Sequence, residues 1–362
     1  MPGCAVLERL NREAGRMGRK KMKKPSKARG RRNHGASAIT FWKAIIHLVA
    51  FIMISTAVTV CATEIVPCPR DITNNNGIDP CDSRSIAWHP AAPGHRIAGA
   101  ALVIHGLNLK PSKMQTIMTF LTRQGIACLN LSLRGHGDNY DSQDSLSVEK
   151  ARLSSFADVS YTRWEEESFH AYLLLRRYSN FHNVPSFFVG YSLGALIGCN
   201  LVTRKDNVSF DKMILFAPAL APTVLGKTVK LLFFLHHLIV PTLAPEDYRN
   251  NWGVPLTAYR ALYEGIDLFN SRANHRLNVP TILFLDEHDE FINWKEIDSI
   301  ITRRKLDRWI IQKVMKDRDK SVTSLHHLVI DEDSVGKNCW RRMETIMKDH
   351  IGMMRVGTSN DS

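Results

Sequence analysis

A serine between two glycines is the residue of this chain with the clearest potential to act as a nucleophile. Ser192 lies in Gly-Tyr-Ser-Leu-Gly, after a short apolar run and before a second apolar run with helical spacing. This pattern between a strand and a helix predicts a sharp turn that lifts the serine hydroxyl out of a sheet. Gly190 and Gly194 allow the strand and the helix to approach closely. Since Gly-x-Ser-x-Gly also occurs by chance, the surrounding strand and helix give the motif its weight.

A nucleophilic serine needs a base and an acid, and both are available downstream. A serine hydroxyl is a poor nucleophile at neutral pH, so a base must accept its proton and a carboxylate must orient that base. In chains with this turn the acid follows a late strand and the base follows the last strand. Asp286 and Asp289 follow the apolar run 280–285, and His326 and His327 form an adjacent pair near the end of the chain.

Backbone N–H groups near the serine are candidates to stabilise an oxyanion. The N–H of Leu193 begins the helix after Ser192, where free donors point away from the helix end. A second strand, 99–104, ends in His-Gly-Leu, and the loop there is expected to supply another donor, the N–H of Leu107. His136 lies in a glycine-flanked loop after the next strand, so we interpret it as shaping that loop rather than as the base.

Strands and helices alternate around these residues. Short buried runs predict strands, and apolar residues at helical spacing predict helices. We expect a mostly parallel α/β sheet with helices on both faces. The predicted strands are at 85–88, 99–104, 126–133, 187–189, 213–220, 280–285 and 309–311. The predicted helices are at 111–123, 164–178, 294–305 and 338–351, with an exposed loop over 139–154.

Residues 221–279 interrupt this alternation. They contain the run 229–240, which is too apolar on all sides for an ordinary surface helix and too short for a membrane span. An apolar insert above a serine nucleophile indicates a helical lid that forms an acyl-chain pocket or touches a membrane. A buried cap helix without substrate contact is the alternative.

From about residue 98 to 352 the sequence resembles the α/β-hydrolase family, in particular its monoacylglycerol lipase, lysophospholipase and carboxylesterase branch. The resemblance rests on His105-Gly106, Arg134-Gly-His-Gly137, Gly190-Tyr-Ser-Leu-Gly194, the turn at Asp289-Glu290 and the late histidine pair. Family members usually have Gly-x-x-Asp after the acid strand. Asp286 stands here at the glycine position, so the resemblance places the acid at Asp289 and leaves Asp286 as an alternative.

The resemblance also implies a reaction. The loop containing His326 is similar to the base loop of the carboxylesterases, so His326 is favoured as the base, with His327 as the alternative. The implied chemistry is transfer of an acyl group from an ester to water, through Ser192 and with no metal or organic cofactor. The substrate would be a small-molecule or lipid ester. An acyltransferase, a thioesterase and a non-catalytic binding protein with the same fold are the other possibilities.

The N-terminal region predicts targeting rather than catalysis. Residues 1–43 carry 13 Lys and Arg but 2 Asp and Glu, whereas the rest of the chain is close to neutral, so nothing in it indicates nucleic-acid binding. Residues 44–62 are 19 largely apolar residues without formal charge, long enough to cross a membrane as an anchor or to serve as a signal segment. We therefore expect a membrane-anchored or exported protein with its catalytic domain on the non-cytoplasmic side.

The remaining boundaries and the cysteines complete the organisation. We expect a linker with a first strand over 63–97, a hydrolase domain over 98–352 and a C-terminal tail over 353–362. Cys68 and Cys81 flank a polar loop and could pair in an oxidising compartment. Other cysteines in strand-like or helix-like stretches are interpreted as small buried apolar residues, namely Cys128, Cys199 and Cys339.

Overall fold

A seven-stranded sheet forms the centre of the structure, a computed structural model that describes residues 84–142, 145–224, 229–233, 238–319 and 322–352. The strands are β1 (Ile86–His89), β2 (Gly99–Ile104), β3 (Ile126–Leu131), β4 (Ser186–Tyr191), β5 (Lys212–Phe216), β6 (Ile239–Pro241), β7 (Gly253–Pro255), β8 (Thr281–Asp286) and β9 (Trp309–Val314). The large sheet has the order β1-β3-β2-β4-β5-β8-β9, and β6 and β7 form a separate antiparallel pair. In the large sheet β1 runs antiparallel to β3, and the other pairs are parallel.

Helices connect and cover these strands. They are α1 (Gln115–Arg123), α2 (Val148–Ala157), α3 (Tyr161–His182), α4 (Leu193–Arg204), α5 (Leu256–Arg272), α6 (Trp294–Arg303), α7 (Glu332–Val335) and α8 (Lys337–Gly352). No helix in the described ranges is long and apolar enough to cross a membrane. The predicted segment 44–62 lies outside those ranges, as do Cys68 and Cys81.

Two hydrophobic cores lie on opposite faces of the sheet. Leu102 and Ile104 of β2 belong to one core, with buried residues of α3, α4, α5 and α6, while Ala101 and Val103 belong to the other, with buried residues of α1 and α8. Because side chains alternate along a strand, a strand covered on both faces is apolar throughout. The predicted fold class, a mostly parallel sheet with helices on both faces, is confirmed.

The stretch 139–154 differs from its prediction. We expected an exposed loop, but α2 begins at Val148, and the Ser147 side chain accepts a hydrogen bond from the N–H of Lys150 at its N-terminus. The helix buries Ala151, Ser155 and Phe156. Ala151 and Ser155 are four residues apart, as on one helix face, but the first is small and the second is polar, so the sequence shows no strong apolar stripe. The ring of Phe156 packs against His136 and Trp164 and ties the helix to the core.

The predicted insert 221–279 is only partly separate from the central sheet and the helices that cover it. Its helix α5 packs in the core, where the Asn200 side chain of α4 donates to the carbonyl of Gly265 at 2.9 Å. The described parts of the run 229–240 form a 3-10 turn, Val229–Leu232, and strand β6. Among the residues that can be described, the run therefore contains no lid helix, and the lid remains a prediction.

Two buried histidines hold the loops that follow β2 and β3. His105 Nδ1 lies 2.8 Å from the carbonyl oxygen of Gly106, and His105 Nε2 accepts a hydrogen bond from the N–H of Leu133 at 3.1 Å. His136 Nε2 accepts the N–H of Asn108 at 3.0 Å, and the two rings lie 4.6 Å apart. This is the loop-shaping role predicted for His136. Burial lowers the pKa of His105 to about 4, and burial together with His105 lowers the pKa of His136 well below 6.5.

We expect the free energy of unfolding to fall as the pH is lowered from 6.5 towards about 4, the folded pKa of His105. The unfolded ring binds a proton below pH 6.5, while the folded ring stays neutral until about pH 4, so protonation favours the unfolded state throughout this window. One such histidine contributes at most about 1.4 kcal/mol per pH unit. Urea unfolding of wild type and His105→Asn across the window measures the effect, with exposed His170→Asn as the control. A slope in His105→Asn equal to that of wild type would contradict the prediction.

Candidate active site

Ser192 occupies a strained turn between β4 and α4. Its backbone has φ 51° and ψ −110°, a conformation that residues with a side chain rarely adopt. A Cβ at Gly190 would lie 2.6 Å from the backbone nitrogen of Ala195, and one at Gly194 would collide with the carbonyl of Ile104. The predicted turn is therefore confirmed, with the reason for both glycines. The turn leaves Ser192 8% exposed, at the carboxyl end of the central strand.

His327 lies against the serine hydroxyl. Its Nε2 is 3.0 Å from Ser192 Oγ, and its Nδ1 is 2.8 Å from Asp289 Oδ2. A carboxylate can only accept a hydrogen bond, so the proton of the neutral ring belongs on Nδ1 and Nε2 is free to accept from the hydroxyl. The rings of Phe291 and His327 pack perpendicular to one another with their centroids 5.2 Å apart. The arrangement is a continuous hydrogen-bond chain from serine to carboxylate.

Asp289 is fixed by the turn that contains it. Its Oδ1 accepts the N–H groups of Phe291 and Ile292 at 2.8 and 2.9 Å, while Oδ2 remains for His327. The side chain is buried, so its orientation does not depend on solvent. Asp289 thus occupies the position predicted for the acid, and the structure does not bring Asp286, the alternative acid, to His327.

The structure does not bring His326, the histidine favoured as the base, to the serine. His326 Nδ1 lies 2.9 Å from Asp286 Oδ2, and its side chain is 38% exposed. The two adjacent histidines therefore pair with two different carboxylates, and only the pair of His327 and Asp289 reaches Ser192. His326 and His327 are the two central residues of a turn that the Leu328 N–H closes on the Leu325 carbonyl, and their side chains leave this turn in different directions. One position in the sequence therefore decides which ring faces the serine.

Glu290 is a site residue that the sequence analysis missed. Its Oε1 accepts the N–H of His326 at 3.0 Å, and its Oε2 accepts the N–H of His327 at 3.1 Å. One carboxylate thus fixes two consecutive peptide groups of the loop that carries the histidines. Its position directly after Asp289 was the only sequence signal, because a side chain that binds a distant backbone leaves no recognisable spacing.

Two further side chains hold the same loop. The Lys316 Nζ donates to the carbonyls of Thr323 and Leu325 at 3.3 and 2.7 Å, and burial lowers the pKa of this amine. The Tyr191 hydroxyl donates to the carbonyl of His327 at 3.2 Å. Burial, followed by the nearby Asp289 and Glu290, raises the Tyr191 pKa well above 10, so the hydroxyl stays protonated as a donor.

The two expected oxyanion donors lie in loops that approach the serine. Within the described residues, neither the N–H of Leu193 nor that of Leu107 has a hydrogen-bond partner. Leu193 is the first residue of α4, where the helix dipole favours negative charge. A Cβ at Gly106, next to Leu107, would lie 3.2 Å from the Cβ of Ser192, so these loops are close together.

A network of asparagines fixes the loop that contains Leu107. The Asn108 side chain accepts the N–H of Asn251 at 2.8 Å and donates to its carbonyl at 2.9 Å. The side chains of Asn250 and Asn251 both donate to the carbonyl of Gly135 at 3.1 Å. The β2 loop, the β3 loop and the segment before β7 therefore form one hydrogen-bonded unit beside Ser192.

Comparison with known proteins gives one family match. A family model described as serine aminopeptidase, S33, matches residues 95–267. This range includes Ser192 and ends before Asp289 and His327. A comparison with curated proteins found no significant sequence match.

Solved structures share the fold at low sequence identity. A soluble variant of the monoglyceride lipase of Saccharomyces cerevisiae superposes with a TM-score of 0.58 at 13% identity, covering 73% of this chain and 91% of that one. A structure of the metagenome-derived lipolytic enzymes LipS and LipT gives a TM-score of 0.54 at 15% identity, with coverages of 73% and 98%. The monoacylglycerol lipase of Paleococcus ferrophilus gives 0.51 at 14% identity, with the same coverages. The family match and these architectures confirm the resemblance seen in the sequence: this chain has the α/β-hydrolase fold.

Proposed function

We propose that this protein is a serine hydrolase that cleaves carboxylic esters, with Ser192 as nucleophile, His327 as base and Asp289 as the orienting acid. The observation that carries the proposal is the hydrogen-bond chain through His327, with 3.0 Å to the serine and 2.8 Å to the aspartate. Both distances lie within the range needed for a base to remove a proton and to be oriented in turn.

Acylation follows from this arrangement. As Ser192 Oγ attacks the ester carbonyl carbon, its proton passes to His327 Nε2, and Asp289 stabilises the imidazolium without taking the proton. The negative charge moves to the carbonyl oxygen, where the N–H groups of Leu193 and Leu107 would bind it. Collapse of this intermediate breaks the ester C–O bond, and His327 Nε2 returns the proton to the departing alcohol.

Deacylation repeats these steps with water. His327 Nε2 accepts a proton from a water molecule as its oxygen attacks the acyl-enzyme carbonyl. Collapse of the second intermediate releases the carboxylic acid, and the proton returns to Ser192 Oγ. The ester and water are thus the two reactants of the cycle.

The segment between β5 and α5 has a surface composition that favours a substrate with an apolar acyl group. Four large apolar side chains in it are exposed, at 79%, 41%, 59% and 41%, namely Val224, Leu238, Leu243 and Trp252. Isolated exposed apolar residues are common, but four in one segment joined to the oxyanion loop suit a lipid-like ester. We propose that this segment acts as the lid over the acyl chain. Placement of the catalytic domain on the non-cytoplasmic side stays a prediction from residues 1–62.

The function is tested with a panel of substrates and a covalent probe. We expect hydrolysis of nitrophenyl esters, with kcat/KM higher for a medium acyl chain than for acetate, and much slower cleavage of an aminoacyl nitroanilide. A fluorophosphonate probe should label wild type and fail to label Ser192→Ala. Folded wild-type protein that neither cleaves the esters nor reacts with the probe would contradict the proposal, and a preference for the anilide would assign a peptidase instead.

The adjacent histidines provide a matched pair of variants. His327→Gln should lower kcat on a nitrophenyl ester by about a thousandfold or more, because the serine loses its base. His326→Gln should lower kcat by less than about tenfold, since its ring contacts Asp286 and not the serine. Steady-state kinetics on both variants decides the assignment. Equal losses would mean that the base is not specifically His327.

Glu290 is expected to act as a positioning residue. Glu290→Gln replaces one acceptor oxygen with an amide group that faces a backbone N–H, so the loop carrying His327 should shift. A shift of about 1 Å costs on the order of a hundredfold in rate, so we expect kcat to fall about 10- to 100-fold with little change in KM. The control is Glu287→Gln, whose carboxylate pairs with Lys313 at the surface. A variant that loses thermal stability but keeps wild-type kcat would reduce Glu290 to a structural role.

A further inference from the structure

A second group of chemically competent side chains lies at the end of β8, beside the hydrogen-bond chain of Ser192. Asp286 ends the strand, His288 follows in the turn, and His326 precedes the proposed base. Among the described residues, these are the His, Cys and acidic side chains that come close enough together to hold a metal ion, with ligand atoms within 4.8 Å of one another. The proposed ester hydrolysis uses none of the three.

The donors of Asp286 lie at or somewhat below the ligand separation of a tetrahedral zinc site. Zinc bonds of about 2.0–2.1 Å to nitrogen and oxygen place neighbouring ligand atoms about 3.4 Å apart in a tetrahedron. Asp286 Oδ2 lies 2.9 Å from His326 Nδ1, and Asp286 Oδ1 lies 3.4 Å from His288 Nδ1. The two rings lie 5.3 Å apart, and the His288 side chain, which is 76% exposed, lies on the solvent side of the group.

The surrounding charge favours a cation. The carboxylates of Asp286, Asp289 and Glu290 all attract the ammonium of Lys316. That ammonium also donates to two loop carbonyls. Three carboxylates and one ammonium leave an excess of negative charge that a divalent ion would balance. Glu287, the acid on the neighbouring surface, is already paired with Lys313.

We propose that Asp286, His288 and His326 form a binding site for a divalent transition metal ion of the zinc class. Two imidazoles and one carboxylate are ligands that zinc prefers, whereas magnesium and calcium select oxygen donors. Three protein ligands leave one position for water. Asp286 anchors the site from the buried side, and the two histidines close it from the solvent side. The site does not depend on the proposed hydrolase activity.

The test measures metal binding by the full chain after chelator treatment. Titration with Zn²⁺ against a colorimetric chelator should show one equivalent more for wild type than for His288→Ala, or at least a tenfold weaker site in the variant. His170→Ala, which removes an exposed histidine on α3, should bind as wild type does and controls for non-specific sites. Because the measured quantity is binding, failure of the hydrolase proposal would not affect it.

A second measurement reports the ligands directly. Co²⁺ bound in the site should give visible absorption bands typical of tetrahedral coordination, and His288→Ala should lose or shift them. Zn²⁺ should also raise the melting temperature of wild type more than that of His288→Ala, because a ligand that binds the folded state stabilises it. Wild-type and His288→Ala proteins with the same stoichiometry, affinity and Co²⁺ spectrum would overturn the proposal.

Discussion

The structure depends on one constrained residue, the serine that joins β4 to α4. A positive φ at a residue with a side chain costs on the order of 1–3 kcal/mol, so the conformation persists only where the surroundings enforce it. The Ser192 N–H donates to the carbonyl of Phe216 on β5, and its carbonyl accepts the N–H of Ala219. Neighbouring strands and the absence of side chains at Gly190 and Gly194 thus hold the turn. The sheet order, with β4 at its centre, provides this support.

The sequence predicts the parts of the fold that are buried on both sides. Continuous apolar runs such as those of β2 and β4 identify strands covered on two faces, and the glycines around Ser192 identify the turn. The sequence does not predict α2, because the two buried residues that share a helix face, Ala151 and Ser155, are small and polar rather than large and apolar. The sequence analysis also places α5 in a separate insert, whereas in the structure this helix packs against α4 in the main core.

The candidate site shows a different limit of sequence reasoning. The types of residue are all recognisable, but His326 and His327 are adjacent, and the choice between them depends on the path of one loop. That path is set by Glu290, Lys316 and Tyr191, which bind its backbone rather than its side chains. Such contacts can involve any residue type in the loop, so no motif records them. Two carboxylate–imidazole pairs, side by side, are the result.

The segment before β7 has a further consequence for how a substrate could enter. The Tyr248 hydroxyl donates to Asp331, four residues after His327, and the Tyr248 carbonyl accepts the N–H of Lys110. Asn250 and Asn251 bind Asn108, next to Leu107. Residues 248–251 are thus held at once by Asp331, beyond the histidine pair, and by Asn108 and Lys110 in the loop after β2. Any hinge that opens the segment between β5 and α5 must lie outside these four residues, and a displacement of them would deform both halves of the catalytic centre together.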